Sequence, residues 1–478
     1  MPRNIHCAAV DLGATSGRVI VGTWTGASLT LREVHRFPNA FRTLNGSDYW
    51  EIGQLWHEVQ TGLAAAAASL PTGEKIASVG VDTWGVDHAL LDARGRLVFP
   101  VHAYRDARTQ RGLKALARDK KALAKIYAAT GIPNVFYNAS LQLAESVATY
   151  PALKKTVARC LFLPDYFNFL LSGKAANEIS IASTSQLLGV DRQPTWSNVA
   201  LKHFGVPADW FSKPIRGQTP LGAVRGLPAL AGTTVVAVPG HDTACAYDAM
   251  PVTAGEKSLF ISSGTWSLVG FESNTPLLSA EALSAGIANE RTSDGAYRPL
   301  KNVIGLWLLE GLLKDFNARP ADAAGWEKLI AEAESLPRPS ALLAVDDPAF
   351  VNPTSMQQAI DTHLTKRGLA VPRTVAGYVR LICDSLGEGH AAAARQFARL
   401  GNQQFARILI VGGGARNRLL CQATADAAGI PVAACELEGT ATGNIARQLL
   451  GLRAVANLAS VRDAVRSSLQ VRVYSPRG

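Results

Sequence analysis

The stretch CAAVDLGATSGRVIVGTW (7–24) reads as two strands joined by a polar turn. Cys7 to Val10 is an apolar run. Asp11 to Arg18 carries Gly13, Thr15, Ser16 and Gly17, and Val19 to Trp24 resumes the apolar pattern. A third strand, Leu29 to Val34, alternates at period two. Leu55 to Leu70 is helical, with Leu55, Val59 and Leu63 on one stripe, and Ile76 to Val81 is a further strand leading into Asp82-Thr83-Trp84-Gly85-Val86-Asp87. Strands, helix and strands in this order predict a mixed sheet with helices packed on it.

The same pattern returns in the second half. Ser258 to Ile261 is apolar, Ser262-Ser263-Gly264-Thr265 is a small hydroxyl-rich turn, and Trp266 to Phe271 continues. One hairpin opening each half predicts a duplicated architecture. Between them, Lys114 to Leu171 reads as helical and stops at Gly173. A buried strand, Thr233 to Val238, then ends at Pro239-Gly240-His241-Asp242-Thr243-Ala244. Leu306 to Phe316 and Val375 to Leu400 are helices, and the strand Arg407 to Val411 runs into Gly412-Gly413-Gly414-Ala415-Arg416-Asn417. The linear division is 1–248, 249–455 and an extension 456–478, with the boundary near residues 245–255.

A chain of 478 residues exceeds a single core, so two domains are expected. The net charge of +10 raises nucleic-acid binding, but Lys and Arg are scattered and no nucleic-acid module occurs. A solvated basic face, densest at Arg453, Arg462, Arg466, Arg472 and Arg477, accounts for the charge, or else attraction of a small anion. The six cysteines, Cys7, Cys160, Cys245, Cys383, Cys421 and Cys435, lie far apart with no metal spacing, which suits free thiols in a reducing compartment. The first residues lack the apolar core of a signal peptide, and no run reaches the ~18 apolar residues of a membrane helix. The expectation is a cytoplasmic protein, monomer or homodimer, with neither membrane nor nucleic acid as partner.

Phosphoryl transfer needs a positioned nucleophile, a metal and donors that spread charge, and amides in tight Gly/Ser/Thr turns supply such donors. The Asp11–Arg18 turn has that composition, with Asp11 at a strand end able to hold Mg²⁺ through water. An ordinary hairpin turn is the plain alternative. Three glycines between a strand and a helix allow close approach of an anionic or flat ligand, or serve as a packing turn. The segment is neither a Walker loop nor a G-x-G-x-x-G fingerprint. Asp242, just past a buried strand, sits where a ligand can approach, or else caps the next helix.

Taken together, AVDLGATSGRVIVG (9–22), VGVDTWGVDHALLD (79–92), GHDTACA (240–246), ISSGTWSLVGFES (261–273), LKNVIGLWLLE (300–310) and ILIVGGGARN (408–417) resemble the FGGY carbohydrate kinases of the actin-like ATPase superfamily, over nearly the full chain. The resemblance implies an α/β fold of two actin-like (ribonuclease H-like) domains, each a mixed sheet flanked by helices, with an active-site cleft between them. It implies ATP and Mg²⁺ as cofactors and a small ketose as partner. The acceptor would be the 1-hydroxyl of L-rhamnulose, with L-fuculose or a pentulose as alternatives and a non-catalytic nucleotide switch as the remaining reading. By the same resemblance Asp242 is the proton acceptor, and Gly85, His241 and Thr243 line the sugar site. Ala14, Thr15, Ser16, Gly17 and Arg18 form the nucleotide-phosphate turn and Thr265 marks a second one. Asn302, Glu310 and Gly413 would hold ribose and base. Glu310 departs from the pattern, which has Gln there; a carboxylate accepts from ribose hydroxyls but cannot donate.

Overall fold

Apolar and β-branched runs build the sheet of the first half. The computed structural model describes residues 4–252 and 255–477. Residues 253 and 254, inside the expected boundary, lie outside the described residues, as do 1–3 and 478. The chain divides into two compact units that are not contiguous: 1–251 with 272–299 and 438–468, and 252–271 with 300–437 and 469–478.

In the first unit, β1 (Ile5–Leu12), β2 (Ser16–Trp24), β3 (Leu29–Pro38), β4 (Ile76–Thr83), β5 (Thr219–Ala223) and β6 (Thr234–Ala237) form a sheet of order β5-β6-β4-β1-β2-β3. The pairs β1/β2 and β2/β3 are antiparallel, whereas β1/β4 and β4/β6 are parallel. One face buries Ala8, Val10, Val19, Val79, Val81 and Val235 against Leu55, Val59 and Leu63 of α1 (Ile52–Ala68) and Leu163, Phe167 and Leu171 of α2 (Leu163–Ser172). At about 25 cal/mol per Å² of apolar area, such side chains contribute roughly 1.5–3 kcal/mol each. Beyond β6 comes α3 (Asp242–Asp248).

The second unit repeats the plan. Its strands β7 (Ser258–Ser263), β8 (Trp266–Gly270), β9 (Tyr297–Ile304, whose first residues belong to the first unit), β10 (Arg407–Val411), β11 (Val432–Cys435) and β12 (Val471–Tyr474) follow one another as β9-β8-β7-β10-β11-β12. Again a hairpin and a third antiparallel strand lie beside two parallel strands. Each half is therefore a mixed sheet flanked by helices, as expected. Helices α4 (Trp307–Asp315), α5 (Val375–Leu400) and α6 (Arg418–Ala428) belong here, and Phe397 of α5 packs on Phe271.

Two features differ from the sequence reading. The helical stretch 114–171 is broken by a strand, Arg159–Phe162, which pairs antiparallel with His88–Leu91. A four-residue apolar run carries no period that separates strand from helix. Helix α7 (Gly439–Gly451), late in the chain, packs in the first unit: Gln448 Nε2 donates to the Ala8 carbonyl at 2.9 Å, and Ser78 Oγ donates to Gln448 Oε1 at 2.7 Å. Several of the basic residues near the C-terminus are paired within the chain. Arg462 donates to the Asp248 carbonyl, Arg466 meets Asp463 and Arg477 reaches Asp426.

Candidate active site

The parallel strands of the first unit end together, and their ends carry the side chains with chemistry. Thr83 N–H donates to the Gly240 carbonyl at 2.9 Å and Trp84 N–H to the Leu12 carbonyl at 3.2 Å. These bonds bring the Asp11 turn, the Trp84-Gly85 turn and the His241-Asp242 loop to one edge.

In the first turn, Gly13 N–H bonds the Ser16 carbonyl at 3.0 Å, and Asn39 holds the turn through its Nδ2 on Gly13 O at 2.8 Å and its N–H on Thr15 O at 3.0 Å. Ala14 and Ser16 are half-buried, Gly17 is buried and Thr15 is exposed. Arg18 donates Nη2 to Asp11 Oδ2 at 2.6 Å and Nη1 to Glu438 Oε2 at 2.8 Å. Burial raises the Asp11 carboxyl above its ordinary range, with the Arg18 charge opposing. Across the strand pair from Asp11 lies Asp82. Its Oδ2 accepts from Asn444 Nδ2 at 2.6 Å, while its fully buried Oδ1 has no hydrogen-bond partner. Burial, and then the neighbouring Asp11 charge, hold this carboxyl well above the usual range.

No group of three or more His, Cys, Asp or Glu able to hold a metal occurs among the described residues. Mg²⁺ dehydrates reluctantly and is held through one or two carboxylates and substrate phosphates, so a caged site is not what it needs. The buried Asp11 carboxylate and the orphaned Asp82 Oδ1 fit a hydrated ion carried in with a nucleotide.

The Trp84-Gly85 turn is held under strain. Asp87 N–H donates back to the Gly85 carbonyl at 2.9 Å, around Val86 at φ 69°, a conformation that costs a β-branched residue about 1–3 kcal/mol. Asp87 offsets this. Its buried Oδ2 accepts from Trp50 Nε1 at 2.6 Å, Trp84 Nε1 at 2.9 Å and Tyr104 N at 3.1 Å, and its Oδ1 accepts from Gln142 Nε2 at 3.1 Å. Burial nevertheless raises its pKa to about 6. Gly85 faces the His241 ring, with Nε2 about 3.4 Å from where a Cβ would stand.

The loop before α3 is anchored by Glu178, a buried carboxylate accepting from Gly240 N at 2.9 Å and Ser180 Oγ at 2.6 Å. Asp242 is the first residue of α3 and its side chain is 34% exposed, so the carboxylate is open to a ligand. Oδ1 accepts from Thr243 N at 2.5 Å and Thr243 Oγ1 at 2.9 Å, and among the described residues none bonds Oδ2. His241 Nε2 lies 3.2 Å from Thr243 Oγ1 and 3.4 Å from Asp242 Oδ1. Its Nδ1 is 3.0 Å from Glu290 Oε2.

In the second unit, the Ser263–Trp266 turn is fixed by Leu306 N–H on the Gly264 carbonyl at 2.8 Å and Trp307 N–H on the Thr265 carbonyl at 3.1 Å. Gly412, at φ 81°, and Gly414 pack directly on Ser263, where a Cβ at Gly414 would stand 2.1 Å from its Oγ. Gly413 is exposed, with Leu306 Cδ1 as the nearest atom to its Cβ position at 3.7 Å. Glu310 N–H bonds the Leu306 carbonyl at 2.9 Å, and its carboxylate lies 3.4 Å from Arg319 Nε. Thr265, Glu310 and Gly413 thus gather around Leu306, and Asn302 sits exposed on β9, paired with Leu268. Sequence reading assigned no role to Asp82, Asp87, Glu178, Glu290 or Glu438. The first two stood in the quoted VGVDTWGVDHALLD stretch; the others carry no local signal.

The sequence matches two family models, the N-terminal domain of the FGGY family of carbohydrate kinases over residues 6–247 and its C-terminal domain over 259–452. It is 40% identical over 473 residues to rhamnulokinase of Klebsiella pneumoniae strain 342, covering 98% of this chain and 94% of that protein. Rhamnulokinase of Enterobacter sp. strain 638 is 40% identical over 474 residues, with the same coverage. Among solved structures, xylulose kinase from Rhodospirillum rubrum superposes with a TM-score of 0.80 at 17% identity, covering 99% of this chain and 94% of that one. Plasmodium falciparum glycerol kinase with ADP gives 0.82 at 14% identity, with the same coverage. The two structural likenesses establish the fold.

Proposed function

The chain belongs to the FGGY family of carbohydrate kinases, and from that premise we propose that it transfers the γ-phosphate of ATP to the 1-hydroxyl of L-rhamnulose. The observation that carries this reading is the open Asp242 carboxylate, set beside His241 and Gly85 at the strand ends with one oxygen uncommitted.

A sugar hydroxyl is a weak nucleophile, and a positioned carboxylate contributes ~10²–10⁴-fold by taking its proton as the new bond forms. Asp242 Oδ2 accepts the proton of the 1-hydroxyl, the hydroxyl oxygen bonds to the γ-phosphorus, and ADP leaves with the electrons of the broken P–O bond. Thr243 fixes the carboxylate through two bonds to Oδ1, and His241, Thr243 and the Gly85 backbone orient the ketose. The turn Ala14-Thr15-Ser16-Gly17-Arg18 offers amides and hydroxyls to the nucleotide phosphates, with Thr265 in the equivalent turn of the other unit. Asn302, Glu310 and Gly413 hold ribose and base. In this reading residues 1–248 carry the sugar site and the first phosphate turn, 249–455 the rest of the nucleotide site and 456–478 an extension, with 272–299 and 438–468 packing in the first unit and Val471–Tyr474 in the second sheet. Asp11 is the residue that would hold a magnesium ion, through water, and such an ion would supply charge neutralisation on the transferring phosphoryl group.

Among the described residues no helix is long and apolar enough to cross a membrane, and all six cysteines are buried thiols, which suits a cytoplasmic enzyme. A coupled ADP-release assay over L-rhamnulose, L-fuculose, L-ribulose and D-xylulose tests the reading. The highest kcat/KM is expected on L-rhamnulose. A higher value on another ketose would reassign the substrate, and ADP release independent of any sugar would remove the kinase assignment.

A further inference from the structure

His241 stands in a charged chain that reaches well beyond its own loop. Glu290, on the strand Ala288–Arg291, places Oε2 at 3.0 Å from His241 Nδ1, and the same oxygen accepts from Arg298 Nη2 at 2.8 Å. Arg298 is fully buried. Its Nε donates to the Arg291 carbonyl at 3.2 Å, and its guanidinium lies 5.4 Å from the Tyr247 ring centroid. A carboxylate flanked by a guanidinium can only accept, so Nδ1 of His241 carries a proton and Nε2 is the atom turned toward Gly85, Thr243 and Asp242.

We propose that Glu290, clamped by Arg298, is a positioning residue for the sugar site: it fixes the tautomer and ring orientation of His241 so that Nε2 is presented to a hydroxyl of the bound ketose beside Asp242. The inference rests on the sugar-kinase reading for the ligand, while the Glu290–His241 coupling stands on the first unit's own geometry. The charged groups facing the ring are Asp242 from its own helix and Glu290 and Arg298 from the two neighbouring strands, while Glu178 holds the Gly240 backbone just before it. Burial disfavours the imidazolium, but the Glu290 charge and hydrogen bond outweigh it, with Asp242 adding and Arg298 opposing, and the ring's pKa is raised. With Nδ1 protonated toward Glu290, Nε2 of the neutral ring accepts from a ketose hydroxyl and Nε2 of the protonated ring donates to a sugar oxygen, in either state beside the Asp242 carboxylate.

The test compares the parent protein with Glu290→Gln and Glu290→Asp. The His241 ring is titrated by NMR on histidine-labelled, ligand-free protein, its signal assigned with His241→Asn, and KM and kcat are measured for L-rhamnulose and for ATP. In Glu290→Gln the His241 midpoint should fall by at least about one pH unit. KM for the ketose should rise ~10- to 100-fold, with KM for ATP unchanged. Glu290→Asp, which keeps the charge, should restore most of the midpoint and part of the KM, and it serves alone if the Gln variant does not fold. An unmoved midpoint overturns the coupling. A lowered midpoint with an unchanged ketose KM overturns the positioning role, as does a loss of melting temperature alone. If the parent gives no ketose-dependent ADP release, the kinase reading fails, and the ligand-free titration still decides whether Glu290 sets the state of His241.

Discussion

Gly443 of α7 lies against the backbone of α3, the helix that begins with Asp242. A Cβ built at Gly443 would stand 1.8 Å from the Cys245 carbonyl oxygen, 2.6 Å from its carbon and 3.0 Å from its Cα. Because these are backbone atoms, no rotamer change relieves the overlap. To bring the oxygen from 1.8 Å to at least 3.0 Å, α3 must withdraw by about 1.2 Å. Cys245 is three residues from Asp242 in the same short helix, so the carboxylate moves with it. Overpacking of this kind costs ~1–3 kcal/mol, and a misplacement of ~1 Å at a reacting group costs about 10²-fold in rate. Gly443→Ala should therefore lower the melting temperature by a few degrees and reduce kcat on L-rhamnulose ~100-fold, with KM for ATP little changed. Gly53→Ala, on α1 with nothing within 4 Å of its Cβ position, is the control and should match or slightly exceed the parent in stability. Steady-state ADP release and thermal unfolding on the three proteins decide it. A Gly443→Ala enzyme with parental turnover would refute the coupling of this helix contact to the Asp242 position.

Two further outcomes follow from the buried charges. The Asp87 carboxyl titrates at about 6 in the fold against an ordinary 3.8, so its contribution to stability is present at low pH and is lost as pH rises through that window. Relative to Asp87→Asn, the parent should gain ~2 kcal/mol between pH ~7 and ~4 in denaturant titrations of both proteins, and a gap that does not change with pH contradicts this. Arg447 is almost fully buried between Asp248, at 2.6 Å and 3.0 Å, and Asp294, at 2.8 Å. Arg447→Met strands the buried Asp248 and should cost ~3–5 kcal/mol, with little dependence on salt; a small loss that disappears in high salt would show the pair to be solvent-screened.

What the chain discloses by itself is the local part of this design. Residues 7–24 and 258–271 announce their hairpins because apolar runs flank a turn of small residues, and Gly173 stops its helix at φ 73° as its position suggests. The limits of α5, Val375–Leu400, coincide with its apolar stripe. The hidden part is long-range. Nothing near Gly439–Gly451 signals that this helix packs on β1, because the small residues that permit the approach look like turn formers in the sequence. Glu290 is 49 residues from His241 and sits in no recognisable motif. Asp82 is visible in the sequence, but Asn444, the partner of its Oδ2, arrives from the far end of the chain.

The central claim is that the Asp242 carboxylate takes the proton of the attacking hydroxyl. The direct measurement is L-rhamnulose-dependent ADP release by Asp242→Asn, an isosteric change that keeps an oxygen for the Thr243 bonds but removes the base. A fall in kcat of ~10²–10⁴-fold, with KM for ketose and ATP within a few-fold of the parent, is the predicted result. Turnover equal to the parent's would contradict it.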